Sequence, residues 1–138
     1  PNLLDNGNVL IFDNGWHAIS AATPSSRIIE VDPGNGDIRW EYKTKPGWEF
    51  FSGFISGAQR LPNGNTLVCE GMTGRLFEVT HDGEMVWQYV NPFFGYDARF
   101  GHANRVFRTY RYGPDFPGLA GKDLNPDRFA RINSLYRR

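Results

Sequence analysis

A single cysteine, two methionines and no long apolar run set the first limits on this 138-residue chain. One cysteine, Cys69, excludes an internal disulfide framework. It lies in a strand-like stretch and reads as a small buried hydrophobe. No segment approaches the roughly 20 apolar residues that a helix needs to span a bilayer. Net charge is also absent, although the charges are unevenly spread. Residues 1–104 hold seven Lys/Arg against twelve Asp/Glu, and residues 105–138 hold eight against three. The basic residues of the tail are interleaved with Pro, Gly and aromatics and form no single run. That argues against a nucleic-acid site and for a tail that folds back over the acidic remainder.

No P-loop, GxSxG phrase or metal-spaced Cys/His cluster occurs, so no metal or cofactor is expected. Asp32-Pro33-Gly34-Asn35-Gly36-Asp37 has the residue types of a calcium loop, but not the length or the terminal Glu; it reads as a hairpin turn. The chain opens on Pro1 in the middle of a repeat and reads as a piece of a longer protein, so its compartment is not taken from its own N-terminus.

What is present is repetition. Leu4-Asp5-Asn6-Gly7-Asn8-Val9-Leu10 returns as Leu61-Pro62-Asn63-Gly64-Asn65-Thr66-Leu67. Arg27-Ile28-Ile29-Glu30-Val31 returns as Arg75-Leu76-Phe77-Glu78-Val79, and Ile38-Arg39-Trp40-Glu41-Tyr42 as Met85-Val86-Trp87-Gln88-Tyr89. A repeat of roughly fifty residues built from short strands is the mark of β-propeller blades, an all-β fold. The second repeat predicts strands over 57–61, 65–70, 75–80 and 84–90, with Asn63-Gly64 and Asp82-Gly83 as hairpin turns. The first predicts strands over 8–12, 27–32 and 37–43, with only Leu3 and Leu4 left of its opening strand. A third repeat opens at His102-Ala103-Asn104-Arg105-Val106, matched to Gly57-Ala58-Gln59-Arg60-Leu61, in a strand that runs on to Tyr112.

Residues 1–112 thus read as about two and a half four-stranded antiparallel blades, and residues 113–138 as a closing tail. Pro126 marks the start of a short helix over 127–136 in that tail. Propellers close with roughly four to eight blades, so further blades from the same or other chains are the expected partners.

Alternation places the generic turns at one end of the strands and the long segments 13–26, 44–56 and 91–101 at the other. Function concentrates where long loops are held by a rigid scaffold. Those loops carry Trp16, Trp48, Phe50, Phe51, Phe54, Phe93, Phe94, Tyr96 and Phe100. The rings either pack the loops or form a stacking pocket for an aryl ligand, in which Trp16, Trp48, Phe50, Phe51, Phe94 and Tyr96 are the candidate contacts. His102, at the start of an innermost strand, is the first candidate nucleophile or acid/base, and His17 the second. His81 sits in a generic turn. Arg27, Arg60 and Arg105 are candidate oxyanion ligands, although Arg27 recurs as Arg75 and so also serves the blade.

The phrase Asn6-Gly7-Asn8-Val9-Leu10-Ile11-Phe12-Asp13-Asn14-Gly15, its partner Arg60–Leu67, and the run Val106-Phe107-Arg108-Thr109-Tyr110-Arg111-Tyr112 resemble the arylsulfotransferase family. The resemblance covers most of residues 2–112. It implies a six-bladed propeller that passes sulfate from one phenol to another through a sulfated histidine. It also implies a phenolic or aryl sulfate ligand and a periplasmic or extracytoplasmic setting. Family members often carry the histidine just ahead of the Leu-Pro-x-Gly-Asn phrase. The second repeat has Ser56-Gly57 there, and His102 holds the matching place in the third. The alternative is a non-catalytic propeller scaffold or binding module.

Overall fold

A computed structural model describes residues 1–15, 23–99, 101–131 and 134. The all-β expectation holds: the described residues form ten strands in three antiparallel sheets. The first sheet is the meander β1 (Asn2–Leu3), β2 (Val9–Asp13), β3 (Arg27–Val31) and β4 (Ile38–Tyr42). The second is β5 (Ser56–Arg60), β6 (Thr66–Glu70), β7 (Arg75–Val79) and β8 (Met85–Val90). A hairpin of β9 (Gly95–Asp97) and β10 (Gly101–Ala103) follows. No helix among the described residues is long and apolar enough to cross a membrane.

The repeated Asn-Gly-Asn phrase is explained by what its atoms hold. Gly7 and Gly64 adopt φ of 85° and 86°, a conformation glycine takes without steric cost. Their N–H groups donate to Leu4 O and Leu61 O, both at 2.9 Å. Each turn then sends its second Asn across to the third strand: Asn8 Nδ2 donates to Glu30 Oε1, and Asn65 Nδ2 to Glu78 Oε1, each at 2.7 Å. The phrase therefore closes the hairpin and ties it to a buried carboxylate.

Cross-strand partners share a sheet face. Pairings Phe12–Ile28, Ile28–Tyr42 and Glu30–Trp40 put the aromatic side of the first sheet on one face. Ala58–Val68, Val68–Phe77 and Thr66–Val79 define the opposing face of the second sheet. The two meet in one core of Leu10, Ile28, Trp40, Tyr42, Ala58, Val68, Phe77 and Val79, plugged by Phe50. Phe50 lies 5.3 Å from Phe12, 5.7 Å from Tyr42 and 5.4 Å from Phe77, centroid to centroid. Burying such a ring stabilises the packing by about 1.5–3 kcal/mol.

One expectation fails beyond Tyr89. No strand runs from His102 to Tyr112: β10 ends at Ala103, and residues 104–112 join no sheet. They lie across the second sheet instead. Val106 N–H donates to Gly71 O at 3.0 Å, and Gln59 clamps the Arg111 backbone through both amide atoms, at 3.0 and 2.8 Å. In the tail, the short helix expected over 127–136 opens as a 3-10 turn at Pro126–Phe129, and Ala130, Arg131 and Ser134 are helical among the described residues. It is capped by Asn125 Oδ1 accepting from Asp127 N–H.

Candidate functional site

The loop end is built on a lattice of small polar residues. Ser26 N–H donates to Phe50 O at 2.8 Å, and Ser52 N–H donates to Ser26 Oγ at 2.9 Å. Asn14 Nδ2 reaches Ser56 Oγ at 2.9 Å, and Ser52 Oγ donates toward Phe54 O and Ile55 O at 2.9 and 3.1 Å. Ser26 and Ser52 are both buried, so this lattice replaces water for the backbone of two loops. Ile55 is held at φ 45°, a left-handed conformation that is a genuine outlier for a β-branched residue. Strain of this kind costs on the order of 1–3 kcal/mol and concentrates at ligand-binding positions.

The strained turn forms one wall of an open groove of about 410 Å³, with the β9–β10 hairpin opposite. Phe54, Ile55, Phe93, Tyr96 and Phe107 give it an apolar lining, and Arg105 and Asp97 add one charge of each sign. The Arg105 guanidinium lies 5.4 Å from the Phe54 ring centroid. His102 faces Tyr96 across the hairpin and packs edge-to-face on it at 5.5 Å. It is exposed, one ring away from the groove.

A second, polar cavity of about 190 Å³ opens beside the inner strands, lined by Asn2, Asn14, Ser56, Gly57, Arg108, Thr109 and Tyr110 among others. Arg108 Nη1 donates to Tyr110 Oη there at 2.9 Å.

The sequence-derived candidates separate on this geometry. Arg105 and Tyr96 line the groove, and His102 adjoins it. Phe50 does not: it is fully buried in the core, a correction to its expected ligand role. The intersheet gap needs a large apolar plug, and Phe50 supplies it. Trp48 is exposed beside Arg75 and Met85, in a separate shallow cavity of about 660 Å³. Phe51 is partly buried and donates its N–H to Glu70 Oε1, while Phe94 is exposed outside the groove lining. Arg27 is engaged by Asp13 at 2.9 Å and Glu41 at 3.0 Å, and donation to those carboxylates raises its pKa. Its counterpart Arg75 pairs likewise with Glu70 at 3.2 Å, as a blade residue would. Trp16, His17 and Phe100 lie outside the described residues.

Phe54 and Phe93, which the sequence placed among the loop aromatics without singling them out as contacts, line the groove, and reading the sequence alone missed Asp97 and Phe107 there and Arg108 in the inner cavity. For Arg108 the signal lies in the folded contacts and not in the amino-acid order. Arg60 bonds Glu30 at 2.7 Å and lies 4.5 Å over Trp40, and Arg111 bonds Glu78 and lies 5.0 Å over Trp87. Arg111, not Arg105, therefore holds Arg60's place, and the third repeat is displaced by six residues. His102 falls outside the innermost-strand position, which passes to Phe107-Arg108.

The arrangement defines a class first: a repeated four-stranded antiparallel unit with aromatic, strained loops gathered at one end. The arylsulfotransferase family model matches residues 2–92, more than half of the chain, and the chain belongs to that family. No curated protein and no solved structure matches it.

Proposed function

We propose that this chain forms part of an arylsulfotransferase propeller whose loop-end groove receives a phenolic ring and its sulfate. The observation that carries the reading is the groove itself: aromatic walls at Phe54, Phe93, Tyr96 and Phe107 with the Arg105 guanidinium among them. Apolar rings bind the aryl group by offset or edge contacts, and a guanidinium matches the sulfuryl oxygens of an aryl sulfate monoester.

In this reading His102 is the nucleophile. Its ring nitrogen attacks sulfur, the N–S bond forms, the aryl S–O bond breaks, and phenolate leaves with the electron pair. An acceptor phenol then attacks the sulfur, its new O–S bond forms as the N–S bond breaks and returns its electron pair to the imidazole, and the phenol's proton passes to the released phenolate or to water. Arg105 holds the charge that spreads over the oxygens at each step.

The test is incubation with 4-nitrophenyl sulfate, followed by nitrophenolate absorbance and intact protein mass. The expected result is phenolate release with one sulfuryl group on His102, lost in His102→Ala. Arg105→Ala is expected to weaken binding of the ester without loss of the fold. Sulfation that survives in His102→Ala would remove that residue from the mechanism.

A second reading, a non-catalytic scaffold, is favoured by the displaced third repeat, which moves His102 from the place where the family carries its histidine. It predicts ester binding without turnover, or no binding at all, alongside tight association with other blades.

A further inference from the structure

The geometry points to a second binding site, for one neutral sugar ring, in the cavity beside Trp48 that the sulfuryl-transfer reading leaves unused. The cavity lies where the segment leaving β4 crosses the second sheet, and every residue lining it falls within 44–90. It opens on the sheet face that packs against the first sheet. Met85 pairs there with Val79 and Val90 with Arg75, whereas Trp87 and Tyr89 pair with Glu78 and Leu76 on the other face. An element that covered Trp87 and Tyr89 would leave this cavity open.

Trp48 is both exposed and fixed. Its surface is 63% accessible, while Phe50, two residues on, is fully buried in the intersheet core. The 3-10 turn that carries it, Gly47–Glu49, is held from both sides. Thr44 Oγ1 donates to Pro46 O at 3.0 Å, and Arg75 Nη1 donates to Glu49 O at 3.1 Å. The chain then docks through Phe51 N–H on Glu70 Oε1 at 3.2 Å. The indole is thus presented to water on a rigid mount, which lowers the ordering cost of binding a ligand.

Met85 and Val90 add to the apolar lining, and the remainder is polar. Thr73 Oγ1 donates to Glu70 O at 3.2 Å, as Thr44 does to Pro46 O, so each hydroxyl keeps lone pairs for a ligand O–H. Arg75 Nη1 is spent on Glu70 and on Glu49 O, but Nη2 meets the weak acceptor sulfur of Met85 at 3.8 Å and retains donors for a ligand oxygen. The charges narrow the class of ligand. Arg75 is already matched by Glu70 at 3.2 Å, and Glu49 adds a second carboxylate to the lining, so an anion is repelled. A cation would meet a guanidinium and one indole, where ammonium ligands favour a cage of rings. A pyranose meets every condition: an uncharged ring, a flat C–H face for the indole, and hydroxyls at its edge for the threonines, Glu70 and Arg75.

The test follows the indole N–H resonance of Trp48 by nitrogen-edited NMR of the 138-residue chain as cellohexaose, maltohexaose, xylohexaose or mannohexaose is added. At least one of these sugars is expected to shift that resonance to saturation. Binding read from the sugar's own signals should weaken about tenfold or more in Trp48→Ala and stay unchanged in Trp87→Ala. Trp48→Tyr should restore most of the affinity, which separates lost stacking from lost structure. A resonance that none of the sugars moves would overturn the inference, as would sugar binding that survives in Trp48→Ala. If 4-nitrophenol shifts the resonance and no sugar does, the inference is overturned in favour of an aryl subsite. Sulfuryl transfer at His102 is read by its own assay, so the two readings stand or fall separately.

Discussion

At the scale of single residues, the chain spends its charges on its own framework. Glu30 is the clearest case. Burial opposes its ionisation, yet donation from Asn8, Asn6 and Arg60 outweighs that cost and holds its carboxyl below the usual range. Glu78 repeats the balance with Asn65, Asn63 and Arg111. A carboxyl whose folded pKa is depressed stabilises the fold above its unfolded pKa, and that stability is lost as pH falls through the folded value. Glu30→Gln should therefore cost about 1–3 kcal/mol near neutral pH, with the gap to wild type closing under acid; denaturant unfolding at several pH values reads this directly. Glu70 runs the other way. Burial raises its pKa against the help of Phe51 N–H and Arg75, so its ionisation weakens the fold as pH rises through that value. Cys69 is pushed up to about 11 by burial, and its thiol is inert packing. Phe50 marks the same economy among apolar residues: Phe50→Ala should cost about 3–5 kcal/mol in thermal unfolding, a loss that a ligand-facing ring would not produce.

At the scale of elements, close approach decides more than propensity. Gly71 sits where three segments converge, and a Cβ there would lie 2.2 Å from Ile55 O and 2.3 Å from Val106 O. Both are backbone atoms that cannot move aside cheaply. Gly71→Ala should push the 104–112 segment off the second sheet and disturb strained Ile55 at once. Hydrogen exchange is expected to quicken at the Val106 amide, which donates to Gly71 O, and to stay unchanged in the β2–β3 ladder. Equal protection in the variant would show that the segment does not depend on this contact. The groove is reached through the same joint, because Ile55 and Phe107 line it from either side.

At the scale of the whole molecule, the two sheets share one core, and neither encloses its own. Leu10, Ile28 and Tyr42 come from the first sheet, Ala58, Val68 and Phe77 from the second, and Phe50 from the loop between them. Separating the sheets would expose all of these to water together. The chain should therefore unfold in a single transition, with tryptophan fluorescence and far-ultraviolet circular dichroism superimposing. Two resolved transitions would mean that the sheets are independently stable.

How much of this was legible in the amino-acid order follows from the range of each interaction. Strand positions, hairpin turns and the two-fold repeat depend on neighbours a few residues apart, so alternation and the Asn-Gly-Asn phrase were enough to place them. The pairing of Asn8 with Glu30, the burial of Phe50 and the displaced third repeat depend on partners that meet only after the sheets stack. His102-Ala103-Asn104-Arg105-Val106 resembles the opening of a strand locally, but the space between Glu78 and Trp87 accepts Arg111, whose guanidinium meets a buried carboxylate and an indole together. Which aromatic rings fill the core and which line the groove was settled in the same way, by the volume left between two sheets.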